Sequence, residues 1–359
     1  MKAALFLEPG APLSLEAVEL LPLRANDVRV RITATSLCHT DVAIRSGEQT
    51  YGTPIVMGHE ACGVVEAVGA AVQGIQVDDR VISSTAPSCG HCENCTGGRP
   101  HVCVLSGSVR SVPRARRTNG DIATGLFGLG TFADEMIVDQ ASVVPVRTAL
   151  PDSWLALIGC GVTTGLSAVL NRVALPLGGA IAVIGCGTVG LAAIQGARIA
   201  GAATIIGIDP REARRDQARE LGASAVFDSA RGDVAEAVQE MTKGSVDAAI
   251  EAVGIPATVK QAFALTRRSG EIVIVGMPPR DGHYDLEAWP FFLSEKRISS
   301  ALFGSANIRR DFPRFVRMAE SGQLDLKSLV TRTIKLDDIN AGLDALARGD
   351  VLRAVVLPD

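Results

Sequence analysis

Two periodicities of apolar residues divide the chain near residue 150. In the first half, apolar and polar residues alternate over Val28–Ala34, and short apolar runs follow at Gly63–Gly69 and Arg80–Ser83. A period of two is typical of strands that bury one face, so this half is predicted to be rich in β-structure. In the second half, apolar runs alternate with helical patterns, which predicts parallel strands joined by crossover helices.

The second half contains several predicted elements in regular succession. Apolar runs predict strands at Ala180–Ile184, Thr204–Ile208, Ala225–Phe227, Val246–Ile250 and Glu271–Val275. Helical periodicity between them predicts helices over Val189–Ala200 and Arg211–Leu221. Toward the C-terminus we expect helices near Arg309–Glu320 and Asp337–Arg348 and a last strand at Arg353–Leu357.

Length and composition indicate a folded protein with more than one domain. The 359 residues exceed one ordinary core, so two domains are expected. Apolar residues make up 47% and charged residues 21%, which argues against disorder. The net charge of −4 argues against a nucleic-acid partner.

One uncharged stretch has the length of a membrane span. It covers Val173–Ala197, but Pro176 and six glycines interrupt it. We interpret it as a strand, a turn and a buried helix. The N-terminal residues also lack the pattern of a signal peptide, so we expect a soluble, cytoplasmic protein with no membrane partner.

A glycine-rich turn follows the strand at Ala180–Ile184 and opens a helix. It has the spacing GxGxxG, with glycines at Gly185, Gly187 and Gly190. Glycines at these positions allow a tight turn and a close approach to a pyrophosphate at the helix N-terminus. The alternative is a βα turn that binds no ligand.

An acidic residue closes the next strand. Asp209 lies nineteen residues after Gly190, where a carboxylate accepts hydrogen bonds from the adenosine ribose and repels a 2′-phosphate. This favours NAD over NADP. Arg211 and Arg214 follow closely and weaken that preference, and Arg214 is itself a candidate cofactor contact.

Four of the eight cysteines fall within fifteen residues. They are Cys89, Cys92, Cys95 and Cys103. Four thiolates at this spacing fit a closed, structural zinc site, because zinc takes four sulfur ligands tetrahedrally. Iron–sulfur ligation uses similar spacings and is the alternative.

Three further metal-ligand candidates are far apart in the sequence. Cys38 opens the segment Cys-His-Thr-Asp, His59 stands between Gly58 and Glu60, and Cys160 is flanked by glycines. Two thiolates and one imidazole form a catalytic zinc shell with one open position. The residues alone do not group these three, because a lone buried cysteine or histidine is more often a packing residue.

These motifs occur together, in this order, in a known family. The chain resembles the zinc-dependent medium-chain alcohol dehydrogenases, and especially their two-zinc, liver-type class, over essentially its whole length. The resemblance implies an α/β protein with a GroES-like, β-rich catalytic domain at 1–161 and 303–359. This domain would include the structural zinc lobe at 89–103. A Rossmann domain with a doubly wound parallel sheet would bind NAD at 162–302.

The resemblance also assigns roles to individual residues. Cys38, His59 and Cys160 would bind a catalytic zinc, in addition to the structural zinc, giving two zinc ions per subunit. Glu60 would be a nearby carboxylate, and Asp41 would accept a hydrogen bond from His59. The substrate oxygen would bind Thr40, which starts a proton relay.

Cofactor contacts are implied in the same way. The nicotinamide would lie beside Thr164 and Val189, and Asp209 would bind the ribose. Arg353 would reach the pyrophosphate. His39 stands where relatives often carry an arginine that pairs with the pyrophosphate. Relatives form dimers or tetramers, so a homodimer is expected, with a tetramer as the alternative.

The sequence departs from the family pattern at two further positions. Ala43 replaces the histidine that ends the proton relay in many members, so the proton must leave by another route. Thr85 replaces an aromatic residue of the pocket wall, which predicts a pocket for bulky or aromatic primary alcohols unless a neighbouring loop refills the space.

A basic run follows the cysteine lobe, at Arg110, Arg114, Arg116 and Arg117. Such a run predicts a solvated loop. The alternative is that it steers an anionic substrate or the cofactor phosphates.

The resemblance implies reversible hydride transfer between an alcohol and NAD, giving an aldehyde or ketone. Two enzymatic alternatives share the zinc ligands. One is a thiol-dependent formaldehyde dehydrogenase, and the other is a nicotinoprotein that retains its NAD and needs an external electron acceptor. A zinc- and NAD-binding protein without catalysis is a third alternative, which the complete set of Cys38, His59, Cys160 and Thr40 disfavours.

Overall fold

Three β-sheets form the framework of the computed structural model, which describes residues 1–358. Their strands, in chain order, are β1 (Lys2–Phe6), β2 (Ser14–Leu20), β3 (Asp27–Ser36), β4 (Ile55–Val56), β5 (Ala61–Val68), β6 (Arg80–Ser83), β7 (Ala115–Arg117), β8 (Ile122–Gly125), β9 (Glu135–Asp139), β10 (Val143–Pro145), β11 (Ala180–Ile184), β12 (Thr204–Ile208), β13 (Ala225–Phe227), β14 (Val246–Glu251), β15 (Thr266–Ile274), β16 (Arg297–Ser300), β17 (Arg332–Ile334) and β18 (Ala354–Val356).

The helices of the described chain are mostly short. The α-helices are α1 (His39–Ser46), α2 (Glu93–Thr96), α3 (Ser106–Arg110), α4 (Asp152–Leu155), α5 (Gly161–Ser167), α6 (Thr188–Ile199), α7 (Glu212–Glu220), α8 (Val234–Thr242), α9 (Pro256–Leu265), α10 (Ala288–Ser294), α11 (Ile308–Glu320) and α12 (Ile339–Arg348). A π-helical turn, Ala168–Arg172, extends α5. Single 3-10 turns cover Pro100–Val102, Leu126–Gly128, Gln140–Ser142, Ala156–Gly159, Leu302–Ser305, Lys327–Leu329 and Leu336–Asp338.

Contacts divide the chain into two units. The first is Met1–Cys160 together with the C-terminal segment from Asn307, and the second is Gly161–Ala306. The sequence prediction placed the two divisions at 161/162 and 302/303.

The first unit contains two sheets. Strands β1, β2, β7, β8 and β4 close into a small barrel. The other sheet has the order β10-β6-β5-β3-β18-β17, and β9 also pairs with β3. This is the β-rich half expected from the period-two pattern, and the GroES-like fold is confirmed.

Strand β3 shows how the sequence pattern becomes a buried face. Val28, Val30 and Ile32 are buried while Arg31 is exposed, as alternation requires. The alternation then stops, because Ala34, Thr35 and Ser36 are all buried. The end of this strand therefore enters the interior of the unit.

A single parallel sheet forms the second unit. Its order is β13-β12-β11-β14-β15-β16, and each neighbouring pair is parallel. Numbered from β11, this is the order 3-2-1-4-5-6 of a doubly wound dinucleotide-binding fold. The predicted Rossmann fold is confirmed, and the predicted strands and helices overlap the observed ones.

Two helices of the second unit approach each other at a glycine. A Cβ atom on Gly165 of α5 would lie 2.0 Å from the carbonyl oxygen of Val189 in α6. Only glycine allows this contact.

The basic run is not a solvated loop, so that prediction is wrong. The Arg114 side chain is buried and pairs with buried Asp27 at 2.9 Å. Arg117 pairs with Glu16 at 2.9 Å. Of the four arginines only Arg116 is exposed. Arg110 ends α3, and Arg116 and Arg117 lie in β7, so the run is not one continuous loop.

Among residues 1–358, no single helix has the length and apolar character needed to cross a membrane. One consecutive pair, Asp152–Gly159 and Gly161–Arg172, passes that test only when taken together across a bend. The uncharged stretch Val173–Ala197 contains β11, the glycine-rich turn and most of α6.

The pair Arg114–Asp27 generates a stability prediction. Arg114→Met would leave the Asp27 carboxylate buried without its partner, which typically costs about 3–5 kcal/mol. We expect denaturant unfolding to show a loss of that order. Arg116→Met, two residues further along the chain and exposed, is the matched control and should change stability by less than about 0.5 kcal/mol. Equal effects of the two variants would contradict this account of the pair.

Candidate functional site

The first site is built at the end of β3, where helix α1 begins. Cys38 is the N-cap of α1, and its backbone N–H donates to Asp41 Oδ2 at 2.9 Å. The other oxygen, Asp41 Oδ1, lies 3.2 Å from Nδ1 of His59. One carboxylate therefore caps the helix and orients the imidazole.

His59 is held by the turn that precedes β5. Gly58 has φ +87°, and a Cβ there would lie 2.6 Å from the backbone nitrogen of Phe132, so glycine is required. The imidazole is completely buried. With Nδ1 facing Asp41, Nε2 is buried without a hydrogen-bond partner among the described residues.

Three other potential metal ligands lie around this imidazole. Ligand atoms of Cys38, His59, Glu60 and Cys160 all lie within 4.8 Å of one another. Cys160 follows the 3-10 turn Ala156–Gly159 at the end of the first segment of the chain. The structure thus brings together the three residues that the sequence left far apart.

Buried charges around the cluster compensate one another. Arg353 Nη2 lies 3.1 Å from Glu60 Oε1, which is an ion pair, and 3.7 Å from Cys38 Sγ. Its Nη1 donates to the carbonyl of Leu37, and Ser36 Oγ donates to Glu60 Oε2. A fully buried carboxylate needs such partners, because desolvation of an isolated charge is costly.

The two thiols titrate in opposite directions. A hydrogen bond from Cys160 and the charges of Arg353 and His59 outweigh burial and lower the pKa of Cys38 well below its usual value. The hydrogen bond to Cys38, together with burial, raises the pKa of Cys160. The shared hydrogen bond therefore favours the thiolate of Cys38 over that of Cys160.

Histidine and glutamate titrations reflect the same burial. Burial lowers the pKa of His59, but the charge and hydrogen bond of Asp41 outweigh it, and the pKa lies well above its usual value. Burial raises the pKa of Glu60 to about 7, although the positive charge of Arg353 opposes this shift.

This donor set fits zinc. Two sulfur atoms and one imidazole nitrogen are the ligands of a catalytic zinc site with an open position. Nε2 of His59 needs a partner, and Asp41 fixes the tautomer that leaves it free to coordinate. Glu60 Oε1 is 4.0 Å from Nε2, so it lies beside the three ligands.

Other predicted residues of this unit lie on α1 and near the C-terminus. The Thr40 hydroxyl is 3.7 Å from Cys38 Sγ, and His39 is exposed as the first residue of α1. Arg353 is 3% exposed, and its described contacts are with Glu60, Leu37 and Cys38. Pyrophosphate binding by His39 and Arg353 stays a prediction.

Sequence reasoning missed several neighbours of the cluster. It did not predict the contacts of Arg353 and Ser36 with Glu60. It also missed Phe127, whose ring meets that of His59 edge-on at 5.5 Å between centroids. No local motif marks these residues, because all of the contacts join distant segments.

The four clustered cysteines form a second candidate metal centre. Their sulfur atoms lie within 4.8 Å of one another. Cys89 and Cys95 sulfurs are 3.9 Å apart, and so are those of Cys92 and Cys103. Zn–S bonds of about 2.3 Å in a tetrahedron place sulfurs about 3.8 Å apart, so the lobe is shaped for a closed ZnS4 site.

Backbone amides in the lobe also favour thiolates. The N–H of Cys92 donates to Cys89 Sγ at 3.3 Å, and that of Cys89 to Cys103 Sγ at 3.4 Å. Hydrogen bonds from backbone N–H groups lower the pKa of Cys92 to about 6. All eight cysteines are free thiols, and none forms a disulfide in the described chain.

The glycine-rich turn of the second unit has the geometry that its spacing predicts. Gly185 has φ +89°, and a Cβ on Gly190 would lie 1.8 Å from the Gly185 carbonyl oxygen. At Gly187, the N-cap of α6, a Cβ would meet nothing within 4 Å. Gly190 is therefore required for close packing of the turn, whereas Gly187 leaves space in front of the N-terminus of α6.

Asp209 stands at the end of β12 beside this turn. Its Oδ2 accepts the N–H of Cys186 at 2.9 Å, and Oδ1 accepts the N–H of Arg211 at 2.9 Å. The carboxylate is thus fixed next to the glycines. Burial and the charge of Asp209 raise the pKa of Cys186 to about 12, so this cysteine remains a neutral thiol.

The remaining cofactor candidates also lie in the second unit. Thr164 is buried in α5, Val189 lies in the first turn of α6, and Arg214 is buried on α7. Their contacts with a nicotinamide dinucleotide stay predictions.

Comparison with known proteins identifies two family domains. Residues 24–148 match the alcohol dehydrogenase GroES-like domain, and residues 188–321 match the zinc-binding dehydrogenase domain. The alcohol dehydrogenase class-P of Arabidopsis thaliana is 33% identical, over 99% of this chain and 96% of its own length. The NDMA-dependent alcohol dehydrogenase of Amycolatopsis methanolica is 35% identical, over 99% and 98%.

Solved structures give the same result. The benzyl alcohol dehydrogenase of Acinetobacter calcoaceticus superposes with a TM-score of 0.93 at 29% identity, covering 100% of this chain and 99% of its own. A putative zinc-binding dehydrogenase of Sinorhizobium meliloti, bound to NADP, has a TM-score of 0.83 at 27% identity and covers 99% of each chain. With both family domains in order and full-length relatives above 30% identity, the chain belongs to the zinc-dependent medium-chain alcohol dehydrogenases and is an oxidoreductase that acts on alcohols.

Proposed function

We propose that this alcohol dehydrogenase transfers hydride reversibly between NAD and a primary alcohol or its aldehyde, with a preference for bulky or aromatic alcohols. The observation that carries the proposal is the buried His59 imidazole. Asp41 holds its Nδ1 at 3.2 Å, while Nε2 has no hydrogen-bond partner among the described residues and faces Cys38, Cys160 and Glu60.

Two groups would supply the chemistry when bound: zinc would act as a Lewis acid on the substrate oxygen, and the nicotinamide would accept or donate hydride. Cys38, His59 and Cys160 would hold the catalytic zinc. Asp41 keeps His59 in one tautomer, and Arg353 balances the negative charge of Glu60 and Cys38.

Thr40 is the residue proposed to handle the substrate proton. Its hydroxyl lies 3.7 Å from Cys38 Sγ, so it stands beside the ligand cluster. Oγ1 accepts the proton of the substrate hydroxyl and passes its own proton onward. Ala43 carries no group that can continue this relay, so the proton must leave Thr40 by a route that does not include residue 43.

Asp209 supports NAD as the cofactor. Two backbone N–H groups fix its carboxylate beside the glycine-rich turn, where it would accept from ribose hydroxyls and repel a 2′-phosphate. The NADP-bound relative and the nearby Arg211 and Arg214 favour the phosphorylated cofactor instead. The negative charge at Asp209 decides our choice.

A nicotinoprotein is the second candidate. The relative from Amycolatopsis methanolica is named for its dependence on NDMA, and it is 35% identical to this chain. An enzyme of this kind would retain its nicotinamide and need an added compound for turnover.

We further propose a cytoplasmic homodimer, with a tetramer as the alternative. Strand β16 ends the sheet of the second unit, and the exposed apolar side chains Trp289 and Phe292 lie on α10 in the same unit. Both features suit contact with a second copy. Free thiols grouped as metal ligands suit a reducing compartment.

Turnover of a panel of alcohols tests the proposed activity. Protein mixed with NAD and alcohols from ethanol to benzyl alcohol should produce reduced nicotinamide, measured by its absorbance, with kcat/KM highest for benzyl alcohol. Stripping with a chelator should abolish turnover, and added zinc should restore it. Formaldehyde turnover only with a thiol would favour the thiol-dependent alternative. Cofactor retained through purification, with turnover only after an electron acceptor is added, would favour the nicotinoprotein.

Metal content tests the two cysteine sites separately. The intact chain should bind two zinc ions, one for each ligand cluster. Cys160→Ser should lose catalysis and weaken one zinc ion while the fold persists. Cys92→Ser should lose the other ion and unfold at a lower temperature. Cys62→Ser is the control, because Cys62 lies outside both clusters and contacts Asp152; it should keep both ions. A single zinc per intact chain, measured by atomic emission, would contradict the two-site proposal.

Cofactor choice tests Asp209. Asp209→Ala should lower kcat/KM for NAD about tenfold or more, since a charged hydrogen bond is lost, and should improve NADP relative to NAD. Asp216→Ala, on exposed α7, is the matched control. An unchanged ratio of NADP to NAD efficiency in Asp209→Ala would refute the assignment.

A further inference from the structure

Arg110 is an inward-facing cation without a counter-ion. Three other partly or fully buried arginines of the first unit have carboxylate partners: Arg80 with Asp152, Arg114 with Asp27 and Arg117 with Glu16. No carboxylate among residues 1–358 pairs with Arg110. Its Nε atom is buried without a hydrogen-bond partner among the same residues. Burial lowers the pKa of this guanidinium, although an electrostatic effect of Tyr51 opposes the shift.

The surroundings supply only part of what a guanidinium needs. Nη2 donates to the carbonyl of Thr85, and the guanidinium carbon lies 5.7 Å from the ring centroid of Phe127. Arg110 is half-buried. One neutral hydrogen bond and one cation–π contact leave its buried Nε without a partner, and burying an N–H without a hydrogen bond is costly.

Arg110 is also close to the zinc-ligand cluster. The Phe127 ring that it covers meets His59 edge-on at 5.5 Å between centroids. The contacts of 5.7 Å and 5.5 Å share one ring, so the guanidinium lies within about 11 Å of the imidazole. A benzyl alcohol with a ring substituent has the length to reach from the one to the other.

The backbone holds this arrangement at a cost. Phe127 has φ +53°, which is unfavourable for a bulky residue. Gly128 follows with φ +78°, and a Cβ there would lie 2.7 Å from the Cα of Arg110. Strained residues of this kind concentrate at functional sites. Tyr51 packs edge-on against Phe127, with 5.8 Å between the ring centroids.

We propose that Arg110 is a specificity-determining residue that binds a carboxylate at the end of the substrate remote from the reacting hydroxyl. The substrate class is therefore aromatic alcohols that carry a carboxylate on the ring, such as (hydroxymethyl)benzoates. This inference rests on the proposed alcohol oxidation, and it narrows the substrate. The Phe127 and Tyr51 rings contact the aromatic part, and Arg110 forms a charge-assisted hydrogen bond with the carboxylate.

Position 85 contributes to the same subsite. Thr85 is the position at which the sequence lacks a pocket aromatic, and its carbonyl is the acceptor for Arg110. The guanidinium therefore stands against the backbone of the segment that contains Thr85.

Matched substrates test the proposal with the zinc-loaded enzyme. We expect 3- or 4-(hydroxymethyl)benzoate to be oxidised with a lower KM than benzyl alcohol and than the corresponding methyl esters. Arg110→Met should raise KM for the carboxylate about 10- to 100-fold, as expected for a lost charged hydrogen bond, with kcat changed far less. Activity on benzyl alcohol should change less than threefold. Arg110→Lys should recover part of the carboxylate preference.

Two controls separate this role from a structural one. Arg116→Met removes an exposed arginine of the same basic run and should leave the substrate ratio unchanged. Calorimetric titration of the enzyme with 4-(hydroxymethyl)benzoate measures binding without turnover. Equal losses for benzyl alcohol and the carboxylate in Arg110→Met would overturn the proposal, and so would a wild-type enzyme that oxidises benzyl alcohol but neither binds nor oxidises the carboxylates. Absence of turnover with every alcohol, with carboxylate binding intact and dependent on Arg110, would instead refute the proposed function.

Discussion

The ion pair between Arg353 and Glu60 is the interaction on which the metal-ligand cluster of the first unit depends. Glu60 is completely buried and Arg353 is 3% exposed, so neither charge is stable there without the other. Arg353 directly precedes β18, and β18 pairs antiparallel with β3 through Val355 and Ser36. The pairing of β18 with β3 therefore places the Arg353 guanidinium, from near the end of the chain, beside Glu60. The first unit is discontinuous in sequence as a consequence.

The end of β3 connects this sheet to the site. Thr35 Oγ1 donates to the carbonyl of Glu60 at 2.8 Å, and the N–H of Ser36 donates to the same carbonyl at 2.9 Å. Polar residues replace the alternating pattern where the strand enters the interior. They donate hydrogen bonds to the buried Glu60 carbonyl beside the candidate metal ligands, which helps to hold Cys38 and His59 at a fixed separation.

The second unit solves a different problem, which is to bring backbone close to a ligand. Gly185 and Gly190 lie so close together that a Cβ on Gly190 would clash with the Gly185 carbonyl oxygen. Two backbone N–H groups hold the Asp209 carboxylate beside them. Its strand order reverses between β11 and β14, and such switch points are where open parallel sheets bind ligands. The cluster of potential metal ligands in the first unit and the glycine-rich turn of the second unit thus rest on separate local contacts.

The sequence by itself determined the features that arise from neighbouring residues. Strand and helix periodicity, the glycine-rich turn and the cluster Cys89–Cys103 were all predicted, because dihedral preferences and short ligand spacings act locally. The grouping of Cys38, His59 and Cys160 came from family resemblance alone, since long separations carry no local signal. Only the tertiary structure decided which charges are paired. Arg114 meets Asp27 across 87 residues, whereas Arg110 meets no carboxylate in the described chain. These contacts depend on the register of the sheets and on how distant segments pack together, and neither can be derived from the composition of a single segment.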